Sequence, residues 1–149
     1  MKVFVYGTLM DGEPNNIFLR KDATFLGEGE TKPLYTLYDL NAFPAMVFGG
    51  DTSIKGEVYE VSQSALRDLD RLESYDSRHP ERGLYNRQLI LIQLKDRDVA
   101  ALAYFLDEIP LTVAGHPHPI IPSGDWREAL KGGYVEDEPL INKEGRQRF

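Results

Sequence analysis

Short apolar runs, each closed by Gly, Pro, Asn or Asp, follow one another through most of this chain, and only a sheet can absorb so many brief segments. Strand-like runs fall at Thr24 to Leu26, Leu34 to Leu40, Ala45 to Phe48, Ile54 to Val61, Gln88 to Leu94 and Val99 to Leu106. Before them, Lys2-Val3-Phe4-Val5-Tyr6 is β-branched and aromatic without alternation, which suits a central strand covered on both faces. Lys95-Asp96-Arg97-Asp98 reads as a hairpin turn. Helical signals are fewer: one segment after Ser62 or Ser64, either of which would cap it, a turn-rich stretch in which Pro14 opens a helix to about Arg20, and a short helix after Trp126. The expectation is an α+β domain with a curled, mostly antiparallel sheet and a few helices. No repeat or long linker divides the 149 residues, so a single domain is expected, with its core over about 1–126 and a C-terminal extension over 127–149 that ends in a mobile tail.

The helix beginning near Ser64 carries a misplaced charge. At about 100° per residue, Leu66, Leu69 and Leu72 form one apolar stripe, and Glu73 projects between Leu66 and Leu69. Arg67, Asp68 and Arg71 point the other way, where a surface helix keeps its charges. Glu73 is therefore expected to face the core or a cavity, and a carboxylate withdrawn from water gains proton affinity and becomes a proton carrier near neutrality. The alternative is a helix-end glutamate that frays into solvent or pairs with Arg78 or Arg87. Asp68, Asp70 and Asp76 read as a solvated acidic face.

The first strand breaks at Gly7, before Thr8-Leu9-Met10-Asp11-Gly12. A strand that stops at glycine ahead of a helix can leave successive backbone N–H groups pointing at an anion, although many such breaks only change chain direction.

Composition removes several classes. Without cysteine there are no disulfides, thiol nucleophiles or cysteine-ligated zinc. His116-Pro117-His118 has no acidic or cysteine partner nearby in sequence, Gly49-Gly50 and Gly132-Gly133 read as turns, and no Gly-x-Ser-x-Gly is present, so neither a metal site nor serine hydrolase chemistry is expected. A net charge of −7 with scattered basic residues disfavours nucleic acid. No apolar run reaches the roughly 20 residues of a membrane span, and the chain opens on a core strand rather than on a secretory-type segment. A cytoplasmic protein with no cofactor, no nucleic-acid partner and no membrane partner is the expectation.

Five blocks, in order, carry a resemblance: Val3-Phe4-Val5-Tyr6-Gly7-Thr8-Leu9, Gly56-Glu57-Val58-Tyr59, Leu69-Asp70-Arg71-Leu72-Glu73, Leu84-Tyr85-Asn86-Arg87 and Ser123-Gly124-Asp125-Trp126. Together they resemble the gamma-glutamylcyclotransferase-like (AIG2-like) family, and Thr8 in the Tyr-Gly-Thr-Leu turn is most similar to the gamma-glutamylamine cyclotransferase branch and its bacterial relatives. The resemblance implies a barrel-like sheet with a pocket at one end and a small-molecule γ-glutamyl substrate. It also implies the reaction: the substrate's α-amine closes on its own γ-carbonyl, forming 5-oxoproline and expelling the attached amine. Under it, Glu73 would serve as base and then acid, Gly7, Thr8 and Leu9 would hold an anion through backbone N–H groups, and Tyr6 and Tyr85 would line the pocket or simply fill the core. The segment between Glu73 and Leu84 is longer than in compact bacterial relatives. Some of those lack the helix glutamate and carry one just before the tyrosine, which makes Glu81 a rival base. Two other classes stay open: a non-catalytic module of the same fold that binds a small carboxylate or acyl-amine, and an interaction protein whose acidic surface docks a basic partner.

Overall fold

The computed structural model describes residues 1–13, 16, 19, 22–40, 43–73, 85–107 and 118–131. Among them, β1 (Lys2–Val5), β2 (Ala23–Thr31), β3 (Tyr35–Asp39), β4 (Pro44–Phe48), β5 (Lys55–Val61), α1 (Gln63–Leu72), β6 (Asn86–Leu94), β7 (Asp98–Phe105) and α2 (Trp126–Lys131) follow one another. A closed barrel forms in the order β1-β5-β2-β6-β7, while β3 and β4 make a separate two-stranded sheet. Its pairings are antiparallel apart from β1 with β7, which run parallel with Val3 opposite Leu102. This is the α+β, curled and mostly antiparallel arrangement expected from the sequence. The expected helix from Pro14 lies mostly outside the described residues, and none of the helices described is long and apolar enough to cross a membrane.

Strand β1 shows why its sequence does not alternate. It is hydrogen-bonded on both sides and Val3, Phe4, Val5 and Tyr6 have no exposed surface, so every position must be apolar or aromatic. Gly56 permits its closeness to β5, since a Cβ there would lie 2.2 Å from the Val5 carbonyl oxygen. Helix α1 starts where Ser62, in extended conformation, accepts the Ala65 N–H on its hydroxyl at 3.1 Å. Ala65, Leu66, Leu69 and Leu72 are buried, as the apolar stripe required. The β6–β7 hairpin closes at the expected turn, with the Leu94 N–H on the Arg97 carbonyl.

Strand β2 extends well past the expected Thr24 to Leu26. The added residues, Gly27-Glu28-Gly29-Glu30-Thr31, have poor strand propensity, and pairing with β5 and β6 on either side overrides it. Gly27 absorbs a register shift with φ +147°, and a Cβ at Gly29 would sit 2.7 Å from the Ile92 side chain. The β3–β4 sheet is tied to the barrel by the Leu106 N–H on the Met46 carbonyl, and to the chain before α2 by the Ile121 N–H on the Leu37 carbonyl. At Gly124, φ is +70° and a Cβ would lie 2.0 Å from the Ser53 carbonyl oxygen, so only glycine fits. Asp125 then caps α2 through the Glu128 N–H, and Trp126 is buried.

Candidate active site

Strand directions bring the chemically notable residues to one end of the barrel. β1 finishes there at Val5, just before Tyr6 and Gly7, parallel β7 delivers Tyr104, and near the starts of the antiparallel strands β5 and β6 lie Glu57, opposite Val5, and Arg87, opposite Tyr104. Helix α1 leaves the far end of β5 and runs back toward this end, where it finishes.

Glu73 is completely buried. It sits one residue beyond the last helical position, at φ −89° and ψ 4°, and its N–H still bonds the Leu69 carbonyl at 2.9 Å, so the final turn holds it. Its charge is felt by two phenols. Tyr6 is pushed well above the ordinary tyrosine range, first by burial and further by Glu73, with the Met46 N–H opposing. Tyr104 is raised too, by burial, then by its hydrogen bond to Asp70 and the Asp70 charge, with a smaller push from Glu73. The Tyr6 hydroxyl donates to the Tyr104 carbonyl at 2.8 Å and accepts the Met46 N–H at 3.1 Å, so this ring ties β1 to β7 and β4 as well as standing near Glu73. Tyr85 is fully buried immediately before β6. The rival Glu81, together with Arg78, His116, Gly132, Gly133 and the tail, lies outside the described residues.

The aspartates of α1 do not form one solvated face. Asp68 is exposed, but Asp70 accepts from Arg87 Nη1 on both carboxylate oxygens, at 2.9 and 2.7 Å, and from the Tyr104 hydroxyl. Burial pushes Asp70 upward, and Tyr104 and Arg87 pull against it. The reading as solvent-facing failed because its partners lie on β6 and β7, where helical periodicity does not reach. Arg87 was named from the sequence only as a possible partner of a fraying Glu73 and Asp70 only as part of a solvated face, and Tyr104 was not named at all. The hint toward their pairing was that Asp70 and Arg87 fall inside two of the five blocks.

After Tyr6 the backbone turns, and the Met10 N–H closes on the Gly7 carbonyl at 3.1 Å. Gly7, Thr8, Leu9 and Met10 are all buried. Gly7 is not among the described glycines with positive φ. A cleft of about 440 Å³, lined by Lys55, Gly56, Glu57, Asp125 and Arg127 among others, meets this turn at Met10, while Tyr6, Glu73 and Tyr85 are not among its lining residues. Among the described residues, no group of three or more His, Cys, Asp or Glu side chains gathers as a metal site would require.

The family model described as Gamma-glutamyl cyclotransferase, AIG2-like matches residues 3–128. A Vibrio cholerae protein carrying the provisional name gamma-glutamylcyclotransferase is 40% identical over 124 residues, 83% of this chain and 93% of that protein. The gamma-L-glutamyl-butirosin B gamma-glutamyl cyclotransferase of Niallia circulans is 34% identical over 85 residues, 57% of this chain and 53% of that one. The solution structure of Escherichia coli protein ytfP superposes with a TM-score of 0.62 at 31% identity, covering 87% of this chain and 98% of that one.

Proposed function

The chain belongs to the gamma-glutamyl cyclotransferase, AIG2-like family, and from that membership we propose that it cyclises a γ-glutamyl amine or γ-glutamyl amino acid, releasing 5-oxoproline and the free amine. A relative named for gamma-L-glutamyl-butirosin B supports a γ-glutamyl compound as the substrate, and Thr8 in the Tyr-Gly-Thr-Leu turn favours the amine over the amino acid. The observation that carries the reading is the fully buried Glu73 carboxyl, held at the end of α1 where the blocks meet.

The reaction needs no outside nucleophile. The substrate's α-nitrogen bonds to the γ-carbonyl carbon, the bond from that carbon to the departing nitrogen breaks, and one proton moves from the first nitrogen to the second. Glu73 takes that proton and returns it to the leaving amine. A carboxyl in a water-poor setting holds protons more tightly than one in water, which suits both halves of the transfer near neutrality. Thr8 and Leu9 N–H groups, at the centre of the Gly7–Met10 turn, hold the substrate carboxylate or the developing oxyanion, and Gly7 lets the ligand approach the backbone. Tyr6 and Tyr85 form walls, Tyr6 with its hydroxyl fixed by Tyr104 and Met46.

Incubation of the purified chain with a panel of γ-glutamyl amines and γ-glutamyl amino acids, followed by mass spectrometry for 5-oxoproline, tests the reading. Enzyme-dependent 5-oxoproline with an equal yield of free amine is expected. Ligand-induced stabilisation without any turnover across the panel would instead identify a binding module.

A further inference from the structure

Glu57 is a carboxylate in a place that is costly for one. It lies on β5 directly opposite Val5 and is only 3% exposed, and a buried charge persists only when several donors surround it. Here Oε1 accepts the Asp11 N–H at 2.7 Å and the Tyr59 hydroxyl at 3.0 Å, and Oε2 accepts from Arg127 Nη1 at 3.4 Å. The same Arg127 also reaches Glu13 and the Asp11 carbonyl. The barrel alone does not require this arrangement. Each contact leads to the loop that follows Gly7.

Two routes run from Glu57 to the turn. One goes through the Asp11 N–H, just after Met10. The other goes through the Tyr59 hydroxyl to Asn16 Nδ2 at 3.2 Å, and from that nitrogen to the Leu9 carbonyl at 2.9 Å. A peptide unit is planar, with its C=O and N–H pointing oppositely. Aiming the Leu9 carbonyl at Asn16 therefore turns the Met10 N–H toward the Gly7 carbonyl, the bond that closes the turn.

Given the cyclotransferase reading above, we infer that Glu57 is a positioning residue for the substrate anion: through Asp11, Tyr59–Asn16 and Arg127 it sets the geometry of the Gly7–Leu9 cradle and so governs substrate binding, while proton transfer stays with Glu73. Tyr59, raised by burial and next by the Glu57 charge, keeps its proton and remains a donor in this chain.

The sign of the effect separates positioning from simple electrostatics. Removing a negative charge beside an anion cradle should tighten anion binding if charge alone mattered. Loss of the geometry should weaken it.

The test compares the parent chain with Glu57→Gln and Tyr59→Phe, each checked for cooperative melting, by steady-state kinetics on a γ-glutamyl substrate and by calorimetry with 5-oxoproline. In Glu57→Gln, KM and the 5-oxoproline Kd should rise on the order of tenfold, the worth of one charge-assisted hydrogen bond, with kcat and its pH profile close to those of the parent. Tyr59→Phe, which keeps the charge and cuts only the Asn16 route, should move KM the same way by less. Unchanged or lower KM in a folded Glu57→Gln, or a fall in kcat at parental KM, overturns the assignment. If Glu57→Gln fails to fold, an unmoved KM in Tyr59→Phe overturns it. An inactive parent brings down the cyclotransferase reading and this one together, whereas an active parent with an insensitive Glu57→Gln brings down this one alone.

Discussion

Glutamine at position 73 would fill the same space as glutamate and offer similar hydrogen bonding, but it cannot carry a proton. Turnover in Glu73→Gln should therefore fall by roughly 10²–10⁴-fold, the usual share of general acid–base catalysis, with melting behaviour retained. Near-parental turnover there, together with a comparable loss in Glu81→Gln, would transfer the role to the later glutamate. The inward position of Glu73 was one of two readings of the sequence, carried by the single apolar stripe of α1, and burial of its side chain decides against the fraying helix end. Asp70 was misread by the same logic. It lies toward the edge of the stripe, and the partners that draw it in are 17 and 34 residues away, beyond what any local period encodes.

At the level of elements, the Asp70–Arg87 pair clamps the last turns of α1 to the start of β6. Both side chains are largely covered, at 14% and 17% exposure. Asp70→Asn leaves the guanidinium without its counter-charge, and should destabilise the fold by roughly 2–4 kcal/mol, toward the lower end for breaking a buried pair because some exposure remains. Chemical denaturation of parent and variant measures this, and a loss below roughly 0.5 kcal/mol, the size of an exposed pair, would show that the clamp does not hold the helix. Turnover should fall as well, because Glu73 follows Asp70 by three residues and depends on the same final turn. Most strands were legible as apolar runs between breakers. Of β2 only Thr24 to Leu26 was, because a strand hydrogen-bonded on both sides can accept Gly27, Glu28, Gly29 and Glu30, the glycines being explained by the bulge at Gly27 and the close approach of Gly29 to Ile92.

Across the whole molecule, residues far apart in sequence meet because the barrel closes β1 against both β5 and β7, so its end gathers contributions from most of the chain. Tyr6 bonds β7 and β4, Glu57 bonds the loop after Gly7, Asp70 bonds Arg87, and Gly124 sets the path that brings Arg127 to Glu57. The family resemblance implied a barrel-like sheet with a pocket at one end, but the contacts themselves could not be read, since they join residues far apart in sequence. If the gathered end is an anion site, a small carboxylate should bind the folded chain and not the unfolded one, and so raise its melting temperature. 5-Oxoproline added to the parent should produce that rise. Gly7 is buried with Thr8 and Leu9 in the turn, so Gly7→Val puts branched carbons where the ligand must approach the backbone. The variant should lose some stability and all of the ligand-dependent rise. Thr8→Ser keeps the backbone and a hydroxyl, and its rise should stay near the parental one. Equal 5-oxoproline affinity by calorimetry in the parent and a folded Gly7→Val would mean that the carboxylate is held elsewhere than by the turn after β1.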